Sequence, residues 1–166
     1  MELLIETVVE SEVELSEYEI ERNKPMPSKN HSIVQSNLIF ELQNKYRKTY
    51  SIASEIDLIM PEKPNTVPDI AIYPKLKIDF FEDQIGMKEM PLTTIEILSP
   101  SQSENELVAK AQRYFDAGVK SCWIVLPIFK AIVVLSAFTK RQVFTENMTL
   151  IDPTTGIELP LSEIFS

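Results

Sequence analysis

Residues 91–127 read PLTTIEILSPSQSENELVAKAQRYFDAGVKSCWIVLP, an extended stretch, a helical stretch and a second extended stretch in one uninterrupted unit. The first, Thr93 to Leu98, alternates, so Ile95 and Ile97 fall on one face and Glu96 and Leu98 on the other. A carboxylate therefore stands mid-strand among apolar neighbours. The second, Ser121 to Leu126, is apolar on both faces, which predicts a strand covered on both sides and central in its sheet. Between them Pro100 stops the first strand, Ser103 and Glu106 have the spacing of a capping box, and Gly118 suits a left-handed helix end. A helix is expected from about Glu104 to Ala117, making the unit a strand–helix–strand crossover.

On that helix Leu107, Ala111, Tyr114 and Phe115 share an apolar face, and Lys110 lies on it too, three residues after Leu107 and four before Tyr114. A lysine so placed must snorkel past its stem or meet a carboxylate. Glu96, on the preceding strand, is the candidate.

Working outward, the chain has 166 residues, enough for one domain with a proper core, and we expect residues 1–166 to form a single domain. Its 44% apolar and 25% charged residues are those of an ordinary globular protein. No run is long and apolar enough to span a bilayer, and the N-terminus is acidic where a signal peptide is basic, which predicts a cytoplasmic protein. The single cysteine, Cys122, excludes an internal disulfide and a Cys-based zinc cage, and reads as an inert core residue. Net charge is −9, but residues 1–21 hold eight acidic residues and no basic one, leaving 16 basic and 17 acidic residues, a net of −1, for the remainder. That near-neutral remainder argues against strong non-specific DNA affinity.

Residues 1–17 read as an acidic extension to a core of about 18–145. The alternation from Glu12 to Ile20 favours an extended strand or hairpin, with Asn23 at a turn and Glu19 and Glu21 on one side. A helix is expected from Ser28 to about Arg47, with His31, Val34, Leu38 and Leu42 in one stripe, and Ile33 and Phe40 opposite, suggesting cover on two sides. A half-exposed strand is expected over Tyr50 to Met60, and another over Pro68 to Tyr73 with Asp69 at its start. A loop leads from Pro74 to Pro91. Beyond the opening unit, Ala131 to Ser136 should pair with the Trp123 strand, and Arg141 to Thr145 should add a short edge. Asp152 to Gly156 reads as a turn between short extended pieces, and Leu161 to Phe165 closes the chain. The order is helix, three strands, helix, two strands: an α+β (α/β) fold around a mixed sheet.

Asp69 and Glu96, from neighbouring strands, could bind a hard divalent cation through oxygen, with water and substrate phosphate filling its octahedron. With Lys110 packed back over them, the set fits phosphodiester hydrolysis. Spacing alone leaves a purely structural role for the three open, and His31, the only histidine, reads first as a hydrogen-bonded structural residue.

VPDIAIYP, then TTIEILSPS, then ELVAKAQRYFDAGVKSCWIV, resembles the Uma-type restriction-endonuclease family of the PD-(D/E)XK nuclease superfamily. YEIERNKPMPSKNH looks like that family's N-terminal hairpin and helix start, so the resemblance covers about Tyr18 to Ser136. It implies a restriction-endonuclease-like core of order αβββαβ. It also implies a Mg²⁺ (or Mn²⁺) endonuclease, with Asp69 and Glu96 as metal ligands and Lys110, Glu19 and His31 as further catalytic candidates. The lysine of the superfamily pattern, two residues after the acid, is here Leu98; Lys110 matches the family's helix lysine instead. Asn23 stands where the family often has glycine. DNA is the implied partner, and by analogy a homodimer, whose groove could gather Lys24, Lys29, Lys75 and Lys77. The acidic N-terminus and displaced lysine keep a second reading open, a nuclease-like binding module without catalysis.

Overall fold

The computed structural model describes residues 26–166. The expected N-terminal hairpin, with Glu19, Glu21 and Asn23, lies outside the described residues. The first element is an 18-residue helix, α1 (Lys29–Tyr46), whose N-cap Ser28 accepts the His31 amide on its hydroxyl at 3.2 Å. Strands β1 (Tyr50–Ser54), β2 (Ile70–Pro74) and β3 (Thr93–Ile97) follow. Helix α2 (Glu104–Asp116), capped by Ser103, leads to β4 (Ser121–Leu126). A 3-10 turn (Pro127–Phe129) separates β4 from β5 (Ala131–Ala137), which is followed by β6 (Lys140–Phe144).

These six strands form one sheet in chain order, β1 through β6. Every neighbouring pair is antiparallel except β3–β4, which is parallel because α2 carries the chain back to the starting edge. Gly118, at φ 105, provides the left-handed exit from α2 that its position suggested. The chain ends in a hairpin of β7 (Thr149–Ile151) and β8 (Glu158–Pro160) and a short helix, α3 (Leu161–Ile164).

Strand alternation sends the two faces of the sheet into separate cores. Ile70, Ile72, Ile95, Ile97, Trp123 and Val125 pack against Val34, Leu38 and Leu42 of α1 and against Leu150, Leu159 and Leu161 of the C-terminal pieces. On the other face Ala71, Tyr73, Cys122 and Ile124 pack against Leu107, Ala111 and Tyr114 of α2. Glu96, out of phase with Ile95 and Ile97, therefore points into the α2 layer. Among the described residues no helix is long and apolar enough to cross a membrane.

Two expectations need correction. The strand foreseen over Tyr50 to Met60 stops at Ser54, because Glu55 takes φ 50 and turns the chain out of the sheet. Leu58 and Met60 still reach the α2-side core, from an extended segment bridged to Thr66 and Met87. Ile33 and Phe40 are 52% and 64% exposed, so among the described residues α1 is covered along one side instead of two.

Candidate active site

Asp69 ends the loop that enters β2, and the β2–β3 register sets Ile70 opposite Ile95. One step back along that antiparallel register, Asp69 stands opposite Glu96. Its side chain takes a ladder position: Oδ2 accepts the Ile97 amide at 2.7 Å. Its carbonyl accepts the Gln35 side-chain amide at 3.0 Å and the Glu55 amide at 3.1 Å. Asp69 is 1% exposed, and these bonds fix its carboxylate at the rim of the sheet between the two helical layers. From α1, His31 brings Nε2 to 3.1 Å from the same Oδ2.

Glu96 is buried in the α2 layer. Its Oε1 accepts the Tyr114 hydroxyl at 2.7 Å and lies 3.4 Å from Lys110 Nζ. Lys110 and Tyr114 sit one turn apart on α2, so a single helix face delivers both donors. The Tyr114 proton goes to Glu96, and the Thr66 hydroxyl, 3.0 Å from the phenolic oxygen, donates to it in turn. Burial, then the Glu96 charge, push the Tyr114 hydroxyl well above the usual tyrosine range, so it remains a donor at any ordinary pH. Lys110 keeps partial access to water while Glu96 has nearly none. The lysine thus reaches the acid from the solvent side, as its position on the apolar face of α2 required.

Residues 6–162 match the Uma2 family, described as "Putative restriction endonuclease". The chain belongs to the Uma2 family. A solved structure described as "a putative nuclease belonging to DUF820", from Anabaena variabilis, is similar to it in fold. The TM-score is 0.74 at 23% identity, over 85% of this chain and 83% of that one. No curated protein matches the chain. The fold is thus α+β around a mixed six-stranded sheet, an architecture shared with that structure.

In this Uma2 chain Asp69, Glu96, Lys110 and His31 converge on one end of the β2–β3 pair, while Glu19 lies outside the described residues. Among the described residues no group of three or more His, Cys, Asp or Glu side chains is placed to hold a metal ion. Leu98, two residues after Glu96, donates its amide to the Val125 carbonyl at 2.9 Å. Sequence reasoning missed Tyr114 as the donor to the Glu96 carboxylate, Thr66 behind it, and Gln35 on the Asp69 carbonyl. For Tyr114 the signal was available in its spacing of four from Lys110, but its ring was assigned to the core alone. Cys122 is buried beside this site, accepts the Thr94 hydroxyl at 3.3 Å, and has its thiol pushed up to about 12 by burial and by Glu96 and Asp152. Such a thiol carries no thiolate at neutral pH, in line with its reading as inert.

A cleft of about 590 Å³ opens next to His31. It is lined by the first turn of α1, by Leu98 to Pro100, and by the 3-10 turn.

Proposed function

We propose that this Uma2-family protein is a Mg²⁺- or Mn²⁺-dependent endonuclease that hydrolyses phosphodiester bonds of DNA. The observation that carries the reading is the buried pair Asp69 and Glu96, opposite one another on adjacent strands, with a lysine at 3.4 Å from one and a histidine at 3.1 Å from the other. The donor chemistry fits a hard divalent cation: both groups are carboxylates, and two protein ligands leave positions for water and phosphate oxygen. Such a cation, when bound, neutralises phosphate charge and lowers the pKa of water. The chain's own residues do the rest. His31 and the Ile97 amide hold Asp69 in orientation, and Tyr114 does the same for Glu96. Lys110, partly exposed and tethered on one side only, is placed to turn its ammonium toward a phosphate oxygen as charge grows there.

The test is cleavage of plasmid and linear DNA with Mg²⁺ or Mn²⁺ by wild type, Glu96→Ala and Lys110→Ala, with folding checked by circular dichroism. We expect no cleavage by Glu96→Ala and a loss of about 10²- to 10³-fold for Lys110→Ala. Cleavage by Glu96→Ala at the wild-type rate sinks the proposal.

One contact favours a second reading, a nuclease-like binding module. Glu96 and Lys110 form an ion pair that needs no metal to be satisfied. Calorimetric titration of Mg²⁺ and Mn²⁺ into wild type, Asp69→Ala and Glu96→Ala separates the two: the module takes up no cation, whereas the nuclease binds one that both substitutions remove.

A further inference from the structure

The cleft beside His31 has features that the carboxylate site does not use. Its volume is in the range of sites for small ligands. The wall formed by α1 presents the amides of Lys29 and Asn30, which as the first two of a helix have no acceptor within it. No acidic residue occupies that first turn, and Lys29 adds positive charge where the helix dipole is already positive. Glu104, on the α2 side of the cleft, is the charge of opposite sign, so an anion would sit against α1.

His31 lines the same cleft. It is 4% exposed, its Nε2 faces the Asp69 carboxylate, and its Nδ1 has no hydrogen-bond partner among the described residues. With the proton on Nε2, Nδ1 is a buried acceptor awaiting a donor such as a sugar hydroxyl or a bound water. Ile128 and Phe129, which also line the cleft, are 80% and 66% exposed and add an apolar surface to it. A helix amino end that favours an anion, a buried acceptor and an exposed aromatic ring within one cleft match the parts of a nucleotide.

We propose that this cleft is a nucleotide subsite that holds one residue of the substrate strand, its phosphate at the amino end of α1 and its base on Phe129. The proposal rests on the nuclease reading, because His31 joins the cleft to Asp69 and the held nucleotide would be a neighbour of the scissile bond. Stacking on Phe129 is indifferent to base identity, and helix amides contact only backbone phosphate, so the subsite positions the strand without reading its sequence.

The test uses the full chain in EDTA, which withholds the cation that the proposed cleavage requires. Thymidine monophosphate, thymidine and inorganic phosphate are titrated into isotope-labelled protein and followed by amide and aromatic NMR. The monophosphate should move Asn30, His31 and Phe129 together, and inorganic phosphate only the α1 amides. Anisotropy of a fluorescein-labelled oligothymidylate should show binding weakened about tenfold by Phe129→Ala and by Lys29→Glu, and unchanged by Lys140→Glu at the remote sheet edge. Phe129→Leu, which keeps an apolar side chain without an aromatic face, guards against a folding artefact and should bind nearly as weakly as Phe129→Ala. Unmoved α1 resonances, or wild-type affinity in folded Phe129→Ala, overturns the subsite. DNA cleavage that depends on Glu96 but keeps its KM in Phe129→Ala and Lys29→Glu overturns the subsite and leaves the nuclease standing. Metal-free binding that depends on Phe129, in a protein that cleaves nothing, supports the subsite and removes the nuclease.

Discussion

Tyr114 donates its phenolic hydrogen to Glu96 Oε1 at 2.7 Å, across the interface between α2 and β3. The same carboxylate oxygen faces Lys110, so the hydroxyl and the ammonium together decide how Glu96 is aimed. The phenol is the deeper of the two donors, and it is held in turn by Thr66.

Replacing Tyr114 with Phe therefore removes the inner donor and keeps the ring in its packing. A lost hydrogen bond to a buried charged group should cost about 1.5–3 kcal/mol of stability, measured by urea unfolding. Metal affinity and cleavage should fall by about 10- to 100-fold, as for other residues that orient a ligand. Native Tyr114→Phe should also show the same tyrosinate absorbance at pH 10 as the wild type, since the phenol it lacks does not ionise there in the folded protein. A normal loss of tyrosinate signal on substitution would place Tyr114 in water instead.

Stability should decline at alkaline pH for a reason that can be assigned. In the folded chain the Cys122 thiol keeps its proton up to about 12, against 9.0 when unperturbed, chiefly because burial penalises the thiolate. Its folded-state pKa is raised, so its contribution is complete below pH 9 and is lost as pH rises toward 12. The slope from this one group is at most about 1.4 kcal/mol per pH unit. Tyr73, raised to about 12 by burial and Glu89, and Tyr114 act in the same direction from pH 10 upward. Urea unfolding of Cys122→Ala at pH 8 and pH 10 should show a shallower decline than the wild type between the two. An equal decline would mean that the thiol titrates normally.

The mixed sheet was readable because each of its strands carries a local pattern: alternation in Thr93 to Leu98, a doubly apolar run in Ser121 to Leu126, and helix stop signals at Pro100 and Gly118. The position of Lys110 near Glu96 was readable for the same reason, since helix phase and strand phase each follow from spacing. What stayed hidden was set by pairing at long range or by a backbone choice without a residue signature. Glu55 adopts φ 50 with no glycine or asparagine to announce it, and the strand foreseen through Met60 stops there. The bond from His31 to Asp69 spans 38 positions and follows from the packing of α1 on the sheet, which periodicity leaves undetermined. Asp152 is the fullest case. It read as a turn residue, which it is, accepting the Thr154 amide at 2.9 Å, but it is also fully buried.

The buried role of Asp152 leads to a third prediction. Its Oδ2 accepts the Ser121 hydroxyl and the Trp123 indole N–H, both at 2.8 Å, and Ser121 is linked onward to the Thr93 hydroxyl at 2.6 Å. A single carboxylate thus ties the β7–β8 hairpin to β4 and, through Ser121, to β3, on the core face that α1 also covers. Asp152→Ala strands two buried donors and should cost about 3 kcal/mol or more. Asp152→Asn keeps an acceptor at similar size and should cost less, because the indole N–H can still be met while the charge assistance is lost. Trp123 is the only tryptophan, so its fluorescence reports this joint directly. In Asp152→Ala the emission maximum should move while far-ultraviolet circular dichroism still shows a folded protein, and unfolding should begin at lower urea. If Asp152→Ala unfolds like the wild type with an unmoved emission maximum, the hairpin is held by its apolar contacts, Leu150, Leu159 and Leu161, and the carboxylate serves only the turn.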